Sequence, residues 1–181
     1  QPVRQTWLPL ADISGYLPRT VIASEDSRFC QHRGVDWRSL KELLEEAEDL
    51  EDLRGGSTIT QQTAKNLFLW SGRSYLRKAL ELPLSMWMDL VLGKRRIMEI
   101  YLNIATWGPG AEFGAEAGAR RAFNKSAREL DSREAARMAD VSPSFGLLRD
   151  WAQRSNSTSF AATAANAEHP ATRPKDDNKM N

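Results

Sequence analysis

The chain has 181 residues, 41% of them hydrophobic and 27% charged, with a formal net charge of +1. That length supports one domain with a real core, and the near-neutral balance points to no partner by itself. The single Cys30 excludes an internal disulfide framework, and there is neither a signal peptide nor a run of about eighteen apolar residues. Early in the chain, the apolar run Val21-Ile22-Ala23 leads into Glu25-Asp26, followed by Phe29, His32 and Gly34. Little strict alternation follows, so the pattern predicts a mainly helical chain. The first predicted helix, 36–50, has leucines at 40, 43 and 44 and a strongly acidic outer face. Gly55-Gly56 breaks it and reads as a mobile loop. A second helix is predicted from Thr58 to about Leu69. It carries Thr58, Gln61, Gln62 and Lys65 in one polar stripe, with Ile59, Thr63 and Leu67 facing a core. A third spans 73–92, where Pro83 should kink the helix just after Glu81 and Gly93 should end it. A fourth covers Lys94 to Asn103, with Ile97, Ile100, Tyr101 and Ile104 on one face. Two more are predicted near 112–123 and 132–141, the last opened by an Asp131/Glu134 capping box. Beyond about Ala152 the only large apolar side chains are Phe160 and Met180. This segment cannot offset its chain entropy and is expected to be disordered.

Three groups of residues have chemical potential. A carboxylate beside apolar groups, as at Glu25, has its charged form disfavoured, which suits a general base. The bland alternative is that Glu25 and Asp26 open a helix and answer its dipole. Next, between Lys65 and Arg96 seven cations face only two anions, Glu81 and Asp89. Lys65, Arg73, Arg77 and Lys78 flank a short turn and suit a diphosphate, with arginine binding in bidentate fashion. A solvated basic face is the alternative. Nucleic acid is a poor fit, since no helix-turn-helix, stacking platform or zinc spacing accompanies the charge. Glu81 follows Arg77 and Lys78 at i+4 and i+3. That order is the less favourable one for a helix, so a site needing a carboxylate among cations explains it better than stability does. Finally, Leu82-Pro-Leu-Ser-Met-Trp-Met88 reads as core, with a membrane-contacting patch as the alternative. Cys30 with His32 is no four-ligand metal set, and His32 reads as a hydrogen-bonded structural residue.

Taken together, five patterns resemble the peptidoglycan glycosyltransferases of family 51. They are Glu-Asp-x-x-Phe-x-x-His-x-Gly at 25–34, and Gly-x-Ser-Thr-Ile-Thr-Gln-Gln at 55–62 continued by Ala64-Lys65-Asn66. Arg73 with Arg77-Lys78-x-x-Glu81 is the third, and Lys94-x-x-Ile97-x-Glu99-x-Tyr101-Leu102-Asn103 the fourth. Gly114-x-Glu116-x-Gly-x-x-x-x-Phe123, then a Glu134-Ala-Ala helix, completes the set. The resemblance covers roughly residues 7 to 143 and implies an all-α, lysozyme-like fold with a head and a smaller membrane-near jaw. It implies lipid II as substrate, with glycan polymerisation and release of polyprenyl diphosphate. Glu25 would be the base. Lys65, Arg73, Arg77 and Lys78 would hold the departing diphosphate. Glu81 would orient those cations or assist the leaving group, with a divalent cation such as Mg or Mn in some family members and no cofactor demanded by the sequence. Ser57, Thr58, Gln61 and Gln62 would form the donor subsite. The resemblance further implies the bacterial inner membrane, a periplasmic catalytic domain, an anchor helix upstream of Gln1, and cell-wall or cell-division partners.

The agreement fades after Val141, where Ser142-Pro143-Ser144-Phe145-Gly146 replaces the family's usual continuation. The transferase domain is therefore expected over 1–150, atypical from about 142, with a low-complexity tail over 151–181. A diverged reading frame or gene near this point is the expectation, with natural loss of the last helices as the alternative; translating the DNA in its other frames tests it. Two other functions remain open at this level. One is an inactive remnant that only binds lipid II or cell-wall partners. The other is a lysozyme-like hydrolase, against which the cation cluster argues.

Overall fold

A computed structural model of the protein describes residues 5–46, 56–70, 75–107 and 112–140. All lie within one compact unit, Gln1–Gly146. The tail over 151–181 and the junction at 142 lie outside the described residues.

The described chain is all-α, as expected. Six helices occur in order: α1 Tyr16–Glu25, α2 Trp37–Glu46, α3 Ile59–Phe68, α4 Tyr75–Ile104, α5 Ala115–Phe123 and α6 Ser132–Asp140. A two-residue antiparallel ribbon, β1 Thr106–Trp107 and β2 Glu112–Phe113, links α4 to α5. β2 takes the first residues of the span predicted as helix near 112–123. Helix α1 is missing from the sequence reading altogether. Its apolar pair Leu17 and Val21, at i and i+4, is fully buried.

α4 is the spine of the molecule. α3 packs along it, and α1 packs on α6. The core gathers Leu17, Val21, Ile59, Met88, Ile97, Tyr101, Trp107 and Met138. The two helices predicted on either side of Gly93 are both present and run on from one another within α4, with the backbone leaving helical geometry at Gly93, where φ is 69° and ψ is 160°. The stop expected at Gly93 is therefore present, whereas the kink expected at Pro83 leaves no break in the helical backbone. Pro83 stays within helical backbone. It lies on the exposed side next to exposed Ala79, so the carbonyl that it leaves without a partner can be hydrated.

The later patterns of the chain hold this frame together. Asn103 accepts from Leu8 N at 2.8 Å and donates to Leu8 O at 2.8 Å. Glu99 accepts from Leu10 N at 3.0 Å. Glu116 accepts from Ala127 N at 2.8 Å and Ser126 Oγ at 3.0 Å. Burial opposes the charge of Glu116, but these bonds and Arg120 outweigh it and hold the carboxyl below its usual range. The Asp131/Glu134 capping box forms as the spacing requires.

Candidate active site

Glu25 is the last residue of α1, not the start of a helix. Asp26 does serve a helix N-terminus, but that of α3: its Oδ2 accepts from Ile59 N at 3.0 Å. His32 holds the same carboxylate, with Nε2 at 2.9 and 3.0 Å from its two oxygens. His32 is thus the structural residue the sequence suggested. The chain then turns through Phe29 to Gly34, which has φ 75°. A Cβ there would come within 2.5 Å of the Ser85 backbone, so only glycine lets this loop lie on α4. Gly34 N donates to Asp89 on α4, and Gly34 O accepts from Thr58 Oγ1 at 2.5 Å. Asp89 also lies 2.9 Å from Lys94 Nζ, which sits 4.5 Å from the centre of the Phe29 ring. One loop is therefore fastened to both α3 and α4.

α3 begins with a full capping box. Thr58 Oγ1 accepts from Gln61 N at 3.1 Å, and Gln61 Oε1 accepts from Thr58 N at 2.8 Å. The polar stripe expected on this helix points inward. Thr58, Gln61 and Gln62 are all buried, while Leu67, expected in the core, is 42% exposed. Thr58 and Gln61 spend their side chains on the cap and hold the helix start. Gln62 reaches the site instead: its Nε2 donates to Glu25 Oε2 at 3.0 Å, and its Oε1 lies 3.4 Å from the Tyr101 hydroxyl. The other carboxylate oxygen, Glu25 Oε1, is buried and accepts no hydrogen bond.

Glu81 is the second carboxylate, and its side chain is only 3% exposed. Arg77 Nη1 pairs with one oxygen and Lys78 Nζ lies 2.9 Å from the other. Lys78 also donates to Ser57 Oγ at 2.7 Å. Lys65, half-buried on α3, is held below the usual lysine range, first by burial; Arg77 and Lys78 push the same way, while Glu81 and Glu25 oppose. Ser57, Gln62, Lys65, Arg77, Lys78 and the two glutamates thus come together. Arg73 lies outside the described residues, as does Gly55.

Beside Glu25 opens a cavity of about 380 Å³, lined by Glu25, Asp26, Asp36, Ser39, Glu42 and Ser57 among others. Among the described residues, no lysine or arginine lines it. Asp36 is fixed by Arg28 at 2.8 and 3.1 Å and by Ser39 N at 3.1 Å. Burial alone would raise its pKa, but the bonds from Ser39 and Arg28 prevail and keep it low. Asp26, His32 and Asp36 lie at metal-ligand spacing. Their ligand atoms are already taken by Ile59 N–H, by one another and by Arg28, so a cation would have to displace protein donors there.

The segment 82–88 is not the core it suggested. Met88 and Ser85 are buried, but Met86 and Trp87 are 44% and 54% exposed. They join an exposed apolar stripe along α4 that includes Leu76, Leu80, Leu90 and Val91, with Phe68 and Trp70 also exposed on the preceding segment. Among the described residues, no helix is long and apolar enough to cross a membrane.

The geometry is that of a helical site holding two carboxylates, one with an oxygen buried without a hydrogen-bond partner and one caged by cations. The family described as Transglycosylase matches residues 1–166, past the point where motif agreement ends. The chain belongs to this family. It is 62% identical over 142 residues to the biosynthetic peptidoglycan transglycosylase of Nitrobacter winogradskyi, covering 78% of this chain and 63% of that protein. The protein of the same name from Brucella suis is 52% identical over 147 residues, 81% of this chain and 65% of its own length. That from Marinomonas sp. is 49% identical over 143 residues, 79% and 63% respectively. The chain thus spans a little under two thirds of the relatives it matches.

Proposed function

We propose that this chain catalyses glycan polymerisation from lipid II, joining disaccharides by β-1,4 bonds and releasing polyprenyl diphosphate. The observation that carries this reading is the contrast between its two carboxylates. Glu25 has one oxygen pinned by Gln62 and the other buried without a partner. Glu81 has both oxygens engaged by Arg77 and Lys78. The first is arranged to take a proton, and the second to hold cations in place.

The proposed step is a single displacement. The C4 hydroxyl oxygen of the acceptor sugar attacks the anomeric carbon of the donor and inverts it. Its proton passes to Glu25 Oε1 as the bond from C1 to the diphosphate oxygen breaks. The diphosphate departs as an anion, so no acid is needed on that side. Lys65, Lys78 and Arg77 stabilise its charge, and Arg73 is proposed to join them. The cavity beside Glu25, whose described lining carries acids and no lysine or arginine, suits an uncharged sugar rich in hydroxyls and disfavours a diphosphate, which separates the two ends of the reaction. Ser57 and Gln62 complete the donor side, while Thr58 and Gln61 act by capping α3. A divalent cation at Glu81 would have to displace Arg77 and Lys78, which already supply the positive charge, so no step is assigned to a metal.

A lysozyme-like hydrolase must protonate a sugar oxygen from a carboxylic acid. Glu81, bound on both oxygens by cations, is poorly placed for that. The exposed α4 stripe, ending in exposed Arg95 and Arg96, suits a bilayer with anionic headgroups, where the polyprenyl tail resides. We accordingly place the enzyme at the periplasmic face of the inner membrane, with residues 1–150 as its transferase domain and cell-wall synthesis proteins as its partners. The test is product analysis with lipid II. One polyprenyl diphosphate released per β-linked bond formed is expected; cleavage of preformed glycan with no release contradicts the proposal, and binding of lipid II with no product favours the inactive remnant.

A further inference from the structure

We propose that Asp89 and Lys94 are positioning residues for the cation cage around Glu81, acting as a clip across the break in α4. The inference rests on the reading of that cage as the diphosphate site. Glu81, Ser85 and Asp89 follow one another at intervals of four on α4, and all three are buried. The opposite side of the same turns carries Leu80, Trp87, Leu90 and Val91, all exposed. This half of α4 is thus polar inward and largely apolar outward. Among its described residues, Met88 is the one fully buried large apolar side chain. Hydrophobic burial is non-directional, so the exact seat of this half depends on its polar contacts.

The backbone leaves helical geometry at Gly93. A Cβ built there would meet nothing within 4 Å, so packing does not hold the break in place. Lys94, the next residue, folds back across it. Its Nζ is buried, 2.9 Å from Asp89 Oδ2 and 4.5 Å from the centre of the Phe29 ring. The same Asp89 oxygen accepts from Gly34 N. One carboxylate oxygen therefore ties together α4 before the break, α4 after it, and the loop that reaches Gly34. Two turns before Asp89, Glu81 holds Arg77 and Lys78, and Lys78 reaches Ser57 Oγ at 2.7 Å. A swing about Gly93 would carry this cage away from Ser57. Glu81 lies about 18 Å from Gly93 along the helix at 1.5 Å per residue, so a rotation of about 3° moves it by about 1 Å. A misplacement of about 1 Å at a reacting group can cost on the order of 100-fold in rate.

The test compares the wild-type chain with Asp89→Asn, Lys94→Met, the Asp89→Asn/Lys94→Met pair and Lys94→Arg. Three quantities are read: the urea midpoint, kcat and KM with labelled lipid II, and inhibition by inorganic diphosphate. Each neutralising single variant strands one buried charge and should lower the midpoint. The pair strands none, keeps an acceptor for Gly34 N–H, and should regain most of the midpoint. Activity should not follow. The pair is expected to stay at least about 10-fold below wild type in kcat, and to need at least about threefold more inorganic diphosphate for half inhibition, because the clip is still cut. Lys94→Arg keeps the charge and the ring contact and should hold kcat within about threefold of wild type. A pair whose kcat returns with its midpoint would overturn the inference, since the clip would then serve the fold alone. So would a lowered kcat with unchanged diphosphate inhibition. If a variant does not fold, the diphosphate inhibition of those that do decides, and no change in any of them sinks the clip. A wild type that makes no polymer overturns the reading of the site itself; a polymerising wild type beside a fully active pair overturns only the clip.

Discussion

Lys65 has an unusual surrounding for a lysine. Burial depresses its pKa below 10.5, while the two site carboxylates oppose the shift. The proposed role needs the ammonium form. Activity should therefore fall on the alkaline side at a pH below 10.5, and Lys65→Arg should move that limb upward, because guanidinium stays charged. A pH profile of kcat/KM checks this; an unmoved limb in the arginine variant assigns it to another group. The same shift has a sign for stability. A lysine with a lowered folded pKa costs the fold while it is charged, and the cost disappears as pH rises through the folded value towards 10.5. Gly34 gives a second residue-scale test. Its φ of 75° and the 2.5 Å approach of a Cβ to the Ser85 backbone leave no room for alanine. Gly34→Ala should destabilise by about 2–4 kcal/mol, seen as a lowered urea midpoint. A midpoint equal to wild type would mean that the loop does not lie on α4 in this way.

At the scale of elements, α4 has two faces with opposite demands. Met88 is fully buried and Leu90, two residues on, is 76% exposed. Met88→Ala should cost about 2–5 kcal/mol through the lost burial and the cavity left behind. Leu90→Gln should change stability by no more than about 0.5 kcal/mol. It should instead weaken binding to anionic lipid vesicles, most clearly when combined with Trp87→Gln. Undiminished vesicle binding in that pair would remove the stripe from the membrane contact. This helix also shows what a sequence reveals and what it hides. The face of Ile97, Ile100 and Tyr101 was legible from its spacing, and so was the interruption at Gly93. The exposure of Met86 and Trp87 was not, because an apolar run looks the same whether it is covered by protein or left open. Pro83 misled for a related reason: its cost depends on whether the freed carbonyl meets water. α1 was missed because its buried stripe is only Leu17 and Val21, too short to establish a period.

Across the whole molecule, the early patterns build the site and the later ones hold the frame. Glu25, Ser57, Gln62, Lys65, Arg77, Lys78 and Glu81 converge in space. Thr58 and Gln61 lie beside them, but their side chains cap a helix. Asn103, Glu99 and Glu116 fasten backbone segments distant in the chain. Sequence spacing carried the first group because the types are chemically distinctive: a carboxylate among cations demands a reason. It could not separate an amide that reaches Glu25 from one that caps a helix, since both are buried glutamines on the same stripe. Asp89 gave no signal at all. Its partners, Gly34 and Lys94, lie on either side of it in the chain, and only the fold brings them to one carboxylate.

In the proposed reaction Glu25 removes the acceptor proton during transfer from a diphosphate-linked sugar. The most direct measurement is polymer formation from labelled lipid II in detergent, with wild type and Glu25→Gln compared at equal folded concentration. The glutamine keeps the shape and the contact to Gln62 but has no basic oxygen. Glycan polymer is expected from the wild type, with a loss of at least about 100-fold in the variant. Polymer from Glu25→Gln at the wild-type rate would contradict it.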